Sequence, residues 1–147
     1  MKVRYVNTYD NSDPMNGAFI TESNSLAEIL DQRRKYVPFI AELAGDNGYE
    51  LAIGIGSDVG SAQYSRTDGE PPYMMAVSPQ RHMTKGYVEF FFHNEPTPVA
   101  ARYILSFDQV KMVSLHFLKT GDKSNAVSWR EFEPGAARDD VRDVANR

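Results

Sequence analysis

The stretch that most constrains the fold is residues 84–133, which encode a strand, a capped helix and another strand in succession. The first strand is predicted at residues 86–93, where apolar side chains occupy both faces, and such a strand usually lies inside a sheet. The prolines that follow it, Pro96 and Pro98, are predicted to lie in a connection. The second strand is predicted at residues 127–132. Two strands and a helix do not make a stable sheet, so the rest of the chain must supply further strands.

The helix inside this stretch is marked at both ends. Ser106 and, three residues later, Gln109 form a capping box, in which each side chain bonds the backbone of the other residue. Leu105 and Val110 have the spacing of an apolar contact across the first turn. Gly121 follows the last turn, where glycine ends many helices in a left-handed conformation. The sequence therefore predicts a helix between Ser106 and Gly121.

A hairpin is predicted around the dipeptide Asn47-Gly48, which separates an apolar run at residues 39–44 from another at 49–56. In the second run, large apolar residues alternate with small or acidic ones, so each set shares one face of the strand. The large face is expected to pack on the helices. The small face is expected to be open, or to be closely approached by another part of the molecule. The small face consists of Glu50, Ala52, Gly54 and Gly56.

Another helix is predicted after residue 24, because Ser25 and Glu28 have the spacing of a capping box. Apolar residues follow at helical spacing, and the basic residues 33–35 close the helix. Positive charge is favoured at a helix C-terminus, and this explains the basic residues more simply than a nucleic-acid-binding patch does.

The fold class predicted from these elements is α+β, with a mostly antiparallel, twisted sheet of about five to seven strands and two main helices packed on one face. Residues 1–133 are predicted to form a single domain. Residues 134–147, which alternate charge with alanine, are predicted to be a frayed tail. The remaining predicted strands are short and lie at residues 2–6, 18–21, 59–66 and 74–77.

Charge is unevenly distributed along the chain. The net charge is −4, but residues 41–80 contain six acidic residues and one basic residue, Arg66. An acidic sector repels phosphate, which argues against direct nucleic-acid binding, and it favours a basic protein partner. A solvated acidic surface is the simpler alternative.

The cellular compartment is constrained by what the sequence lacks. No apolar run approaches the roughly 20 residues that cross a bilayer, and residues 1–6 resemble a strand rather than a signal peptide. The chain contains no cysteine, which excludes disulfides and thiolate metal ligands. We therefore expect a cytoplasmic protein with no membrane partner.

Few residues have the spacing of a catalytic or metal site. His93-Asn94-Glu95 has the H-x-E form of a zinc nucleobase deaminase, but that chemistry also needs a cysteine pair, which this chain lacks. Glu89, on an apolar strand, is the carboxylate whose setting is most able to raise a pKa. The sequence thus predicts a protein that is not an enzyme and has no metal or cofactor. The alternative is a small-molecule-binding or hydrolytic α+β domain with a pocket near Glu89 and His93.

Three motifs in order along the chain resemble those of the deaminase-toxin immunity proteins of bacterial polymorphic toxin systems. They are the hairpin with Gly54-Ile55-Gly56, the segment of residues 64–73 (YSRTDGEPPY), and the aromatic strand of residues 88–92. A closing pattern is also similar, in which the capped helix ends at residues 117–121 (FLKTG) and is followed by a strand at residues 127–129 (VSW). The resemblance covers roughly residues 1–133.

This resemblance implies an α+β protein that binds the catalytic domain of its cognate toxin, one-to-one, in the cytoplasm. The toxin is expected to be a nucleic-acid deaminase, blocked at its active site or substrate cleft. The acidic and aromatic residues of the sector above are expected to engage a basic cleft on the toxin by charge complementarity. The expected partner-binding residues are Asp58, Tyr64, Asp68, Glu70, Tyr73, Glu89 and Glu95.

Overall fold

The structure, a computed structural model, describes residues 1–131, so the frayed tail predicted for residues 134–147 lies outside the described part. The described residues form ten strands, two α-helices and one short 3-10 turn. In chain order these elements are β1 (Val3–Asn7), β2 (Phe19–Ile20), α1 (Ser23–Arg33), β3 (Phe39–Gly45), β4 (Tyr49–Ile55), β5 (Val59–Arg66), β6 (Met74–Val77), β7 (Tyr87–Phe92), β8 (Glu95–Ala100), the 3-10 turn (Ala101–Tyr103), β9 (Leu105–Ser106), α2 (Phe107–Thr120) and β10 (Ser128–Glu131).

The main sheet has the strand order β10-β6-β5-β4-β3-β1-β2, and every neighbouring pair along this path is antiparallel. Short β9 pairs with β5, while β7 pairs with β8 and touches β3 at one parallel pair, Phe39 with Phe91. The α+β class is confirmed. The predicted count of five to seven strands is too low, since ten strands are present. The two with no predicted counterpart are β8, which was expected to be a connection, and β9, which is too short to show a periodicity.

One hydrophobic core lies between the sheet and the helices. The large face of β4, which carries Leu51, Ile53 and Ile55, is fully buried there, as its alternation predicts. Leu26 of α1 and Phe117 of α2 belong to the same core and have no exposed surface. Neither helix, nor any other in the described residues, is long and apolar enough to cross a membrane.

The capping box of α2 is present in full. The Ser106 hydroxyl accepts a hydrogen bond from the Gln109 backbone N–H (3.1 Å), and the Gln109 side chain accepts one from the Ser106 N–H (2.9 Å). At the other end Gly121 has φ of 75°, the left-handed conformation that glycine adopts most readily. Both predicted ends of this helix are therefore confirmed.

Replacing Ser106 with Ala is expected to lower the free energy of unfolding by about 1 kcal/mol, because the first turn of α2 loses its side-chain cap. Urea denaturation followed by circular dichroism measures this loss. Ser25→Ala in α1 is the matched control and is expected to cost nothing, because Ser25 caps no helix. Equal losses in the two variants would contradict the assigned role of Ser106.

The capping box predicted at Ser25 and Glu28 is wrong. Helix α1 begins two residues earlier, at Ser23, and the preceding Glu22 makes no side-chain cap. The Leu26 N–H already bonds the Glu22 carbonyl (3.2 Å), so Ser25 lies within the first turn rather than before it. Burial of the apolar face, not local capping, therefore sets the start of this helix.

Strand β7 has a partner strand on each side, as its two apolar faces predict, but it lies off the path of the main sheet. All six of its residues pair with β8, it meets β3 at a single pair, and the β7–β8 hairpin lies against the sheet face away from the helices. The fully buried Phe90 points to that face, and a Cβ on Gly54 would lie only 3.0 Å from its ring. The small face of β4 is thus closely approached by another element, which was one of its two expected environments.

The prolines of β8 occupy the positions that a strand permits. The Ala101 N–H bonds the Gly86 carbonyl (3.0 Å), which makes the neighbouring Tyr87–Ala100 pair one that exchanges no hydrogen bonds. Every second pair from there is of the same kind, and these include Pro98 and Pro96. Neither proline therefore has to donate to β7, so the expected connection forms an edge strand instead.

Candidate functional site

The sheet face away from the helices forms the floor of an open cavity of about 410 Å³, which we call the sheet cleft. Its floor includes Ala52 and Gly54 of β4 together with Ser61 and Gln63 of β5. Strand β8 forms one wall and Tyr73, at the start of β6, contributes to another. The cleft exists because small β4 side chains leave the space that the β7–β8 hairpin only partly fills.

The loop of residues 67–72, between β5 and β6, is held by short-range hydrogen bonds. Asp68 accepts a bond from the Glu70 N–H (2.9 Å) and pairs with the guanidinium of Arg66, and both contacts lower the pKa of its carboxyl group. The Tyr73 hydroxyl donates to the Gly69 carbonyl. These contacts fix an ionised Asp68 and an exposed Glu70 beside the end of the sheet cleft.

The structure brings four of the expected partner-binding residues together. Tyr73 and Glu95 line the sheet cleft, and Asp68 and Glu70 lie on the loop that leads into Tyr73. Glu89 is exposed on β7 and does not line the cleft. We therefore take the loop and the sheet cleft as the candidate site.

Asp58 lies at the far end of the β4–β5 hairpin from this loop. Its side chain is exposed, and its carboxylate is 3.7 Å from Arg34 at the end of α1. The Arg34 guanidinium also donates to the Ser57 carbonyl and lies 3.8 Å from the ring of Phe107. Arg34 thus connects α1 to the β4–β5 hairpin and to α2. This contact agrees with a structural role for the basic residues at the end of α1.

Tyr64 lies in the core, with 7% of its surface exposed. Its hydroxyl donates to the Gly121 carbonyl (3.1 Å), and its ring stacks on Tyr49 at 4.9 Å. Burial, followed by the nearby charge of Asp122, raises the pKa of Tyr64 to about 12. These contacts connect the end of α2 to the sheet beneath the candidate loop.

Two acidic residues that border the cleft were not among the expected set. Glu42 pairs in register with Ala52, a floor residue, and Glu50 lies on the same face two residues before it. Burial raises the pKa of Glu50, and the charge of Glu42 raises it further. In residues 1–131 neither carboxylate has a cationic partner. The alternation of β4 indicated the face of Glu50, but no local pattern joins it to Glu42.

The alternative hypothesis, a small-molecule-binding or hydrolytic domain, placed its pocket near Glu89 and His93. Neither residue lines the sheet cleft. A serine and a histidine do meet elsewhere, with Ser78 Oγ 3.3 Å from His82 Nε2. However, the Ser78 hydroxyl donates to the Gln80 carbonyl, and His82 Nε2 lies 2.9 Å from the Gln109 oxygen, which requires a proton on that nitrogen. Such a histidine is no base for Ser78. Across residues 1–131, no three acidic or histidine side chains are grouped to hold a metal.

Comparison with protein families gives one match. The family model described as Immunity protein Imm1 matches residues 22–131, about three quarters of the chain. The matched region includes both helices, the loop of residues 67–72 and the whole sheet cleft. A search of the curated proteins found no match.

Proposed function

This chain belongs to the Imm1 family of immunity proteins, and we propose that the toxin it neutralises is a nucleic-acid deaminase. Inhibition is by occlusion: the protein covers the active site of the toxin or the cleft that admits its substrate. The complex forms one-to-one in the cytoplasm, without direct contact to nucleic acid or membrane. The protein acts by binding, so it needs neither catalysis nor a cofactor of its own.

The observation that carries this proposal is the placement of acidic and aromatic side chains around one concave surface. Tyr73 and Glu95 line the cleft, and no Lys or Arg is among the residues that line it. Asp68 and Glu70 lie on the loop that leads into Tyr73. A toxin that acts on nucleic acid needs a basic substrate cleft, and an acidic surface competes for such a cleft. Aromatic side chains then supply buried contact area that slows dissociation.

The first test is capture of the toxin. The tagged protein is expressed with the product of the neighbouring gene and washed with salt, and a one-to-one complex with a deaminase domain is expected. A captured toxin with a different chemistry would overturn the deaminase assignment while leaving the immunity role intact. Failure to capture any toxin catalytic domain would overturn the proposed inhibition.

The loop is tested by the triple substitution Asp68→Ala, Glu70→Ala and Tyr73→Ala. We expect at least about tenfold weaker binding to the toxin, because both the charge and an aromatic contact are lost. Isothermal titration calorimetry measures the affinity, and survival of cells that express the toxin measures protection. A matched triple substitution on the helix side, at Glu22, Glu28 and Tyr36, should change neither. Full protection by the loop variant would remove this loop from the interface.

A further inference from the structure

Three polar side chains form a row along β5 on the face that carries the sheet cleft. Ser61, Gln63 and Ser65 are spaced by two residues and therefore point to the same side. Ser61 and Ser65 are each only 5% exposed. Ser61 Oγ lies over Gly54, 2.6 Å from where a Cβ on that glycine would be, so it faces the cleft floor. We call these three residues the polar row.

None of the side chains in the polar row makes a hydrogen bond within the described residues. A hydroxyl that is nearly buried in a folded protein almost always has a hydrogen-bond partner. The Ser61 hydroxyl, which is nearly buried yet lines an open cleft, is therefore positioned for a group that enters from outside. Gln63 adds an amide carbonyl as a further acceptor on the same floor.

Acidic groups lie beside the polar row and on the wall of the cleft. Glu50 on β4 pairs in register with Ser65. Glu42 on β3 pairs with Ala52 of the cleft floor, and Glu95 on β8 lines a wall of the cleft. Burial and then the charge of Glu42 raise the pKa of Glu50, so the two carboxylates repel each other, and neither has a cationic partner in the described residues. A cation in the cleft would relieve this repulsion, because opposite charge favours the ionised carboxylates.

The walls between these groups suit a flat cation. Tyr73 supplies aromatic surface, and Pro96 and Pro98 supply apolar surface. A guanidinium is planar, stacks on aromatic rings and carries five N–H donors, which hydroxyl, amide and carboxylate oxygens accept. An ammonium is a strongly hydrated point charge and fits such walls less well.

We propose that the sheet cleft receives an arginine side chain of the toxin. Ser61 and Gln63 of the polar row accept its hydrogen bonds, and Glu42, Glu50 and Glu95 neutralise its charge. This inference rests on the proposed function and assigns it a specific contact. The loop of residues 67–72 would meet the toxin at the cleft rim, while the inserted arginine anchors the complex.

The charge of the cleft is tested by the double substitution Glu42→Gln and Glu50→Gln. We expect the affinity for the captured toxin to fall about 30-fold, mainly through faster dissociation, because the inserted cation loses its counter-charges. The helix-side double substitution Glu22→Gln and Glu28→Gln removes the same net charge and should weaken binding less than about threefold. Thermal denaturation of each variant establishes that it is folded. Equal effects of the two pairs would overturn the inference.

Cysteine footprinting locates the contact, since the natural chain has no cysteine. Single variants carry a cysteine at Gln63 in the cleft, at Asp68 in the loop, or at exposed Gln32 on α1. Their reaction rates with a maleimide are compared in the free protein and in the toxin complex. Protection at positions 63 and 68, but not at 32, is expected. Protection at position 68 alone would overturn the cleft contact and leave the proposed function standing, whereas absence of any complex would overturn both.

Discussion

Replacing Asp13 with Asn is expected to lower the free energy of unfolding by about 3–5 kcal/mol, because it removes the charge from a buried group with four partners. The Asp13 side chain has no exposed surface. It accepts hydrogen bonds from the Tyr5 hydroxyl (2.7 Å), the Asn7 amide (3.0 Å) and the Met15 N–H (2.9 Å), and it lies 3.4 Å from Arg33. An amide at this position would place its NH₂ group against donors that need an acceptor.

The effect depends on pH in a defined direction. Burial by itself would raise the pKa of Asp13, but the bonds from Asn7, Tyr5 and Met15 and the charge of Arg33 outweigh it and hold the pKa below the usual value of an aspartate. The stabilisation is therefore fully present at neutral pH, where the unfolded chain also carries this charge, and is lost as the pH falls through the pKa of the folded state. Denaturation curves at neutral and acidic pH should show the gap between wild type and variant shrinking in acid.

A matched substitution separates burial from charge. Asp46→Asn removes the same charge from an exposed turn and is expected to change stability by less than about 0.5 kcal/mol. Comparable losses at positions 13 and 46, or a gap that grows in acid, would contradict the role given to Asp13.

Replacing Gly60 with Ala is expected to destabilise the fold by about 3 kcal/mol or more, because the added methyl group has no space. Its Cβ would lie 2.2 Å from the Gly54 carbonyl oxygen and 2.7 Å from a methyl group of Val110. The oxygen belongs to the backbone of β4 and cannot turn aside as a side chain can. The strand pair would have to separate, or α2 would have to move away from the sheet.

Gly69→Ala provides the comparison, because Gly69 has φ of 80° but no atom within 4 Å of an added Cβ. It should cost only about 1–2 kcal/mol, the backbone penalty for a left-handed alanine. Differential scanning calorimetry of both variants shows which substitution lowers the stability more. A smaller loss at position 60 than at position 69 would show that β4 and β5 separate easily.

Elements set by neighbouring residues were predictable from the sequence. The capping box of α2 uses Ser106 and Gln109, the β3–β4 turn uses Asn47-Gly48, and β5 has the predicted bounds. For the helix cap and the turn, the deciding contacts lie within a few residues along the chain. Local sequence therefore agrees with the final structure at these places.

Elements set by distant contacts were not predictable in the same way. An alternating aromatic run is compatible with several places in a sheet, and only the packing of Phe90 on Gly54 determines where β7 lies. The start of α1 depends on which residues the sheet buries. The prolines of β8 suggest a connection until its partner strand is known.

The candidate site also combines residues that are neighbours in the sequence with residues that only the fold brings together. The loop residues Asp68, Glu70 and Tyr73 form one segment, so the sequence could group them. Glu42 and Glu95 approach the same cavity from strands far apart in the chain, and only the folded sheet joins them. The sequence predicted the strand that carries Ser61 and Gln63. That their side chains have no hydrogen-bond partner in the described residues is visible only in the folded structure.

The prolines of β8 also restrict how another chain can approach the molecule. The outer edge of β8 has no backbone N–H at Pro96 or Pro98. A strand from another molecule could donate hydrogen bonds to the carbonyls of this edge, but it would receive none from these two residues. Copies of the protein are thereby discouraged from joining edge to edge into aggregates at high concentration. In the proposed complex, recognition at this wall relies on side chains instead, and a single substitution can change a side-chain contact. When the sequence of a toxin changes during evolution, its immunity protein can restore binding by a single substitution on such a surface.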